Sequence, residues 1–349
     1  MIHNDILAKL PDVLLPWYDE NKRDLPWRKD KDPYHIWLSE IMLQQTRVEA
    51  VRGYYERFLR AVPTIIALAN ADDELLHKLW EGLGYYSRVR NLKKAANVIV
   101  EEYNGHFPTT HSAVISLPGI GPYTAGAICS IAYNQKTPAV DGNVLRVISR
   151  LTNDASPIDL PATKNKVSDC LTQIYPEKAG DFTQALMELG ATVCVPNGEP
   201  NCDKCPCRSL CLGYQTGGAN KLPIKSPKKE RKREDLTVLI LQCGDYYALE
   251  KRPSTGLLAD LWQFPNFPGK ASVNAVLEKL EENGLRPKEI MRQVEKKHIF
   301  THVEWSMNGI YVEVSQMENG YFWFTADEIN RQVALPTAFR QFWEEIDYV

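Results

Sequence analysis

Leu117-Pro-Gly-Ile-Gly-Pro-Tyr-Thr-Ala-Gly-Ala-Ile128, with Pro138-Ala-Val-Asp-Gly-Asn143 close behind it, is the stretch that decides the fold. A helix runs into Leu117-Pro118, Gly119 and Gly121 make a tight hairpin, and Pro122 opens a second helix. Glycine takes backbone shapes that a Cβ forbids, and proline at the first helical position has its φ already set. The free amides of such a helix start, with the helix dipole behind them, hold a phosphate without reading a base. Asp141 follows twenty residues after Gly121, just ahead of another helix. The stretch reads as a helix–hairpin–helix unit for a DNA backbone with a catalytic aspartate beside it. The competing reading is an ordinary helical hairpin and an aspartate that only caps its helix, since Asp is a favoured N-cap.

At 349 residues the chain is long for one domain, and two are expected. With 44% hydrophobic and 24% charged residues it has the composition of an ordinary soluble protein with apolar surface for two cores. No apolar run approaches the roughly 18 to 20 residues of a membrane span, and the N-terminus lacks a signal-peptide core. A cytoplasmic protein is expected, nucleoid-associated if bacterial. The net charge of -3 argues at first against a nucleic-acid partner. The average conceals a division. Residues 1–233 carry 30 Lys and Arg against 26 Asp and Glu, and residues 234–349 carry 11 against 18. The positive charge therefore travels with the hairpin.

Residues 1–215 read as almost entirely helical. Asp32-Pro33 has the form of an N-cap followed by proline, opening a helix through about Val48. Further helices are expected at 48–61, 72–80, 88–103, 122–133, 143–152, 162–174 and 179–190, punctuated by Pro63, Gly105-His-Phe-Pro108 and Ser156-Pro157. Lys221 to Arg233, with seven basic residues and two prolines, has a linker's composition, and contact with DNA backbone is the equal alternative. Thr237–Cys243, Tyr246–Glu250, His302–Ser306, Ile310–Val314 and Tyr321–Phe324 then read as strands, with helices at 272–283 and 336–346.

Glu40 lies on the largely apolar helix that starts at Pro33. Burial there would raise its pKa and keep a proton available near neutral pH. A surface glutamate is the competing reading. With Asp141 it makes the pair of carboxylates that breaking a glycosidic bond requires, one to protonate the leaving group and one to stabilise or trap the sugar cation.

Leu25-Pro-Trp-Arg28, Ser39-Glu-Ile-Met-Leu-Gln-Gln-Thr46, Gly82-Leu-Gly-Tyr-Tyr86, the hairpin, Val140-Asp-Gly-Asn143 and a cysteine cluster occur here in one order. In that combination the chain closely resembles the adenine DNA glycosylases of the MutY family, which remove adenine mispaired with 8-oxoguanine or guanine. The resemblance implies an all-α helix-hairpin-helix glycosylase domain with an iron–sulfur loop over 1–215, a basic linker over 216–235, and a smaller α/β, Nudix-like, 8-oxoguanine recognition domain over 236–349. It implies a monomer acting on double-stranded DNA that contains 8-oxoguanine·adenine or guanine·adenine mispairs. By the same resemblance Glu40 protonates the flipped adenine, Asp141 stabilises or captures the sugar cation, Asn143 holds nearby groups, and Tyr123 sits against Asp141 and the sugar. Arg28 and Gln184 match positions lining the adenine pocket, and Gln45 and Tyr85 match residues that wedge into the base stack. Thr46, Leu83, Gly119 and Gly121 fall among the DNA-binding positions. Related bifunctional enzymes of the endonuclease III type carry a lysine in the hairpin's second helix. This chain has Pro122-Tyr-Thr-Ala there, and without an amine no Schiff base forms.

Cys194, Cys202, Cys205 and Cys211 are spaced C-x7-C-x2-C-x5-C, and Cys207 interrupts the last gap. Thiolates at such spacings suit a [4Fe–4S] cluster or tetrahedral zinc. The resemblance favours the cluster, although the first gap is one residue longer than the family's usual one, and Cys207 is expected to remain unligated. Cys129, Cys170 and Cys243 stand alone and read as small apolar residues. In the second domain Phe300-Thr-His302 matches the family's Phe-Ser-His loop beside 8-oxoguanine. The dense Arg-Glu-x-x-Glu-Glu run of Nudix hydrolases is missing between Gly256 and Gly284, so pyrophosphate hydrolysis is not expected.

Overall fold

A computed structural model describes residues 4–227 and 230–346. Lys228 and Lys229 of the basic run therefore lie outside the described residues. The chain forms two compact units, Met1–Asn70 with Arg90–Pro227, and Ala71–Val89 with Lys228–Val349. Among the described residues no helix is long and apolar enough to cross a membrane.

The first unit is helical, and local chemistry sets its helix starts. Asp32 accepts the Tyr34 amide at 2.8 Å and Pro33 follows, which opens the Pro33–Leu43 helix. That helix stops at Leu43, short of the expected Val48, because Gln45 turns into the left-handed region at φ 59°. Val48–Ala61 then begins a new helix. From Tyr34 to Met42 the Pro33–Leu43 helix is buried except at His35, and it packs against Pro122–Tyr133.

The hairpin needs one glycine for its shape. Gly119 has φ 77°, and a Cβ there would meet Asn91 Cβ at 2.6 Å. Gly121, expected to need the same freedom, has an ordinary φ of -98° and caps the Pro122–Tyr133 helix beside open space. Farther along that helix, a Cβ on Gly126 would lie 2.1 Å from the Pro138 carbonyl oxygen. This close approach seats the 138–140 segment against the helix and delivers Asp141 to the cap of Gly142–Thr152. Gly190, on Ala179–Thr192, repeats the device against Asn143 Cβ at 2.8 Å. Leu10, Leu14, Val144, Ile148, Phe182 and Leu186 are among the buried residues of the core that joins these helices to Leu10–Asn21.

The second unit is a mixed sheet of β1 (Lys232–Cys243), β2 (Tyr246–Lys251), β3 (Trp262–Gln263), β4 (Asn266–Pro268), β5 (Pro287–Ile299), β6 (Val303–Val314) and β7 (Phe322–Thr325). Its main order is β3-β2-β1-β6-β5, with β4 on β1 and β7 on β2. β1 and β6 run parallel and the other pairs antiparallel. Side chains of β1 alternate between two cores. Leu236, Val238 and Ile240 join Phe339 and Trp343 of Thr337–Trp343, and Leu239 and Leu241 join Val276 and Leu280 of Val273–Glu282. Helices on both faces explain the continuous apolar run of β1.

Several expectations are corrected here. The strands expected at His302–Ser306 and Ile310–Val314 are one continuous strand, β6, which begins at Val303 and leaves His302 in the preceding turn. β5 was absent from the sequence reading because its charged residues face solvent along a sheet edge, which hides the apolar alternation and protects the edge. The linker expected over 216–235 is cut short, since β1 begins at Lys232. Ala71–Val89, expected with the helical domain, groups with the sheet. Glu74 pairs there with Lys251 at 2.6 Å and accepts the Trp262 indole at 2.9 Å, and Glu81 accepts the Leu335 amide at 3.0 Å.

The Gly126 contact is against backbone, which has no rotamer to yield. Gly126→Ala is expected to destabilise the protein by about 1–3 kcal/mol, the usual cost of an overpacked core. A urea midpoint equal to the parent's would contradict the positional role given to this glycine.

Candidate active site

Glu40, Gln45 and Thr46 come from the end of the Pro33–Leu43 helix and the bend after it, and Tyr123 from the first turn beyond the hairpin. Asp141 and Asn143 come from the start of Gly142–Thr152, and Gln184 from Ala179–Thr192. Together with Arg28 and Gly121 they line one cavity of about 950 Å³ in the first unit. Glu40 is only 6% exposed. Tyr123 donates its hydroxyl to Glu40 Oε2 at 2.6 Å, leaving Oε1 to carry a proton. Burial, followed by the nearby negative charge of Asp141, outweighs the Tyr123 hydrogen bond and pushes Glu40 up to about 7.

Asp141 does cap its helix, accepting the Val144 amide at Oδ1 (2.7 Å). It also lines the cavity, so capping and a catalytic placement coexist. Its Oδ2 accepts Asn143 Nδ2 at 2.6 Å, and Asn143 Oδ1 in turn accepts Arg146 Nη2 at 3.0 Å. Arg146 is held by the carbonyls of Gly190 (2.8 Å) and Cys194 (2.8 Å). Burial raises the Asp141 pKa, against the pull of the Val144 and Asn143 bonds.

One carboxylate in this cavity escaped the sequence reading. Glu188 is fully buried and takes Arg23 Nε at 2.6 Å and Arg28 Nη2 at 2.7 Å. Burial pushes its pKa upward, but the bonds and charges of Arg23 and Arg28 hold it below the usual carboxylate range. Its position one helical turn after Gln184 was the available signal.

Other expected site residues are placed differently. Leu83 is buried, and its carbonyl accepts Arg88 Nη2 at 2.8 Å. Tyr85 is 47% exposed with φ 47°, and its hydroxyl lies 3.0 Å from Thr301 Oγ1 within the second unit. Gln45 and Tyr85 thus share a left-handed backbone that bulky side chains avoid. Phe300, Thr301 and His302 form the tight turn from β5 to β6. Phe300 donates its amide to the Val303 carbonyl at 2.8 Å, and its ring packs edge-on to His298 and Trp305.

Cys194, Cys202, Cys205, Cys207 and Cys211 all line one small cavity with Arg150 and Tyr214. Arg150 Nη1 donates to Cys194 Sγ at 3.3 Å, and the Cys211 thiol donates to the Arg150 carbonyl at 3.4 Å. Among the described residues no group of three or more His, Cys, Asp or Glu side chains is arranged to hold a single metal ion. A set of soft thiol donors around one cavity is consistent with an iron–sulfur group.

Residues 38–169 match the model of the HhH-GPD superfamily base excision DNA repair proteins, and residues 236–345 match the NUDIX domain. The adenine DNA glycosylase of Rattus norvegicus is 35% identical, over 94% of this chain and 76% of its own length. That of Buchnera aphidicola subsp. Baizongia pistaciae is also 35% identical, over 93% of each chain. Among solved structures, a thermostable thymine-DNA glycosylase superposes with a TM-score of 0.55 at 29% identity, covering 61% of this chain and 97% of its own. An endonuclease III–DNA complex shares the fold of the helical part, with a TM-score of 0.53 at 22% identity, covering 62% and 99%. The chain belongs to the adenine DNA glycosylase family of base excision repair.

Proposed function

We propose that this chain hydrolyses the N-glycosidic bond of adenine mispaired with 8-oxoguanine or guanine, without cutting the strand. The observation that carries the reading is the Tyr123 hydroxyl on Glu40 with Asp141 in the same cavity. A base inside a duplex is out of reach of both carboxylates, so the adenine is flipped into the cavity lined by Arg28 and Gln184. Gln45 fills the gap it leaves. Glu40, protonated near neutral pH, gives its proton to the purine ring, and Tyr123 holds the carboxyl in place. The C1′–N9 bond breaks with its electron pair going to the base. Asp141, whose carboxylate form the Val144 and Asn143 hydrogen bonds favour against its burial, stabilises the sugar cation until water adds at C1′ and gives its proton to the Glu40 carboxylate. The second hairpin helix offers tyrosine and no lysine, so no imine links enzyme to sugar and the strand stays intact.

Cys194, Cys202, Cys205 and Cys211 are the residues that would hold a [4Fe–4S] cluster, with Cys207 outside the ligand set. When bound, the cluster would supply a rigid brace for the loop that carries Lys204 and Arg208, whose charges suit phosphates. Phe300-Thr-His302 is the reader of 8-oxoguanine, with the Thr301 hydroxyl as its hydrogen-bonding group.

Asp141→Asn keeps a good N-cap and is expected to abolish adenine release while DNA affinity stays largely intact. Full residual turnover would remove Asp141 from the mechanism. Glu40 acts as the protonated form, so single-turnover release should fall as pH rises through about 7, by about tenfold per unit beyond it. A rate flat across that range would exclude Glu40 as the acid. Replacing Phe300-Thr-His302 by glycines should shrink the preference for 8-oxoguanine over guanine opposite the adenine. An unchanged ratio would contradict the assignment.

A further inference from the structure

A second cavity, of about 1010 Å³, opens from the same catalytic residues. Pro122, Tyr123, Asp141, Asn143 and Lys164 line both. The first cavity holds the carboxylic acid Glu40 with Arg28 and Gln184. The second is a groove with Lys164, Lys221 and Lys225 on its walls. All three lysines are exposed, and among the described residues none is in an ion pair.

Two of these lysines come from the stretch whose composition reads as a linker, and hydrogen bonds fix its residues 222 to 226. Arg150 Nε donates to the Leu222 carbonyl at 2.9 Å, and the Ile158 amide donates to the Ile224 carbonyl at 3.0 Å. The Ser226 amide donates to Asp159 at 2.9 Å, which engages one carboxylate of the groove. Lys221 and Lys225 are therefore held on an anchored backbone, opposite Lys164 on the Pro161–Thr172 helix.

We infer that this groove is the track for the phosphates of the adenine-bearing strand, with Lys164, Lys221 and Lys225 as its contacts. The inference rests on the proposed function and extends it. A flipped nucleotide with its base in one cavity and its sugar at Asp141 must run its backbone out through the space that Asp141 shares with the groove. Unpaired ammonium groups are what a polyanion meets there. Such contacts carry no sequence information, and each adds to the salt dependence of binding.

The test uses the full chain and a duplex with a non-hydrolysable 2′-fluoro-adenosine opposite 8-oxoguanine. Log Kd is plotted against log salt for the parent, for the triple variant Lys164→Ala, Lys221→Ala, Lys225→Ala, and for the matching triple Lys→Arg. The alanine triple should lower the slope by about 0.9 per lost contact, and the arginine triple should restore it. In the alanine triple, phosphate-ethylation interference should be lost at up to three phosphates, all on the adenine strand, and persist at the others. An unchanged slope overturns the inference, as does interference lost only on the opposite strand. Adenine release by the parent from the natural mispair is scored separately, so failure of the glycosylase reading is distinguishable from failure of the track. A thermal melt of each variant separates lost contacts from lost fold.

Discussion

The hydrogen bond from Tyr123 to Glu40 joins two helices whose partners lie 83 residues apart in sequence, and the proposed catalytic geometry depends on it. A carboxyl group this deeply buried would otherwise lose its water without a replacement, at a cost of a few kcal/mol. The phenol replaces one hydration partner and pulls the pKa down, while burial outweighs it and raises Glu40 to about 7, so that both protonation states are populated near neutral pH.

Asp141 is poised by the opposite device. Where Glu40 has one hydroxyl donor, Asp141 has the Val144 amide and the Asn143 side chain, the latter steadied by Arg146. Two carboxylates in one cavity thus meet different donor sets, an asymmetry that supports the different tasks proposed for them. Arg146 reaches both Asn143 and the carbonyl of Cys194, so the cysteine loop and the catalytic aspartate share a support. A brace in that loop would be felt at Asp141.

The elements legible in the sequence are those set by local rules. Asp32-Pro33 and Gly121-Pro122 mark helix starts because capping and proline geometry act within a few residues. Asp141 could be placed ahead of a helix for the same reason. What stayed hidden depends on partners distant in the chain. Nothing near Gly126 announces that Pro138 will lie against it, and nothing near Lys221 announces the Arg150 hold on Leu222. Composition alone made that stretch a tether. β5 was missed because an edge strand with charges outward lacks the apolar alternation that marks a strand. The pairing of Glu40 with Asp141 was reached by resemblance, and their shared cavity supplies its geometric counterpart.

The central claim is base removal without strand scission, driven by Glu40 and Asp141 under the control of Tyr123. Its most direct measurement is a single-turnover assay on duplexes carrying adenine opposite 8-oxoguanine or opposite thymine, resolved on denaturing gels with and without alkali. The account predicts free adenine from the 8-oxoguanine duplex only, with a strand break that appears only after alkali. No adenine from that duplex, or a break without alkali accompanied by a borohydride-trapped adduct, would contradict it.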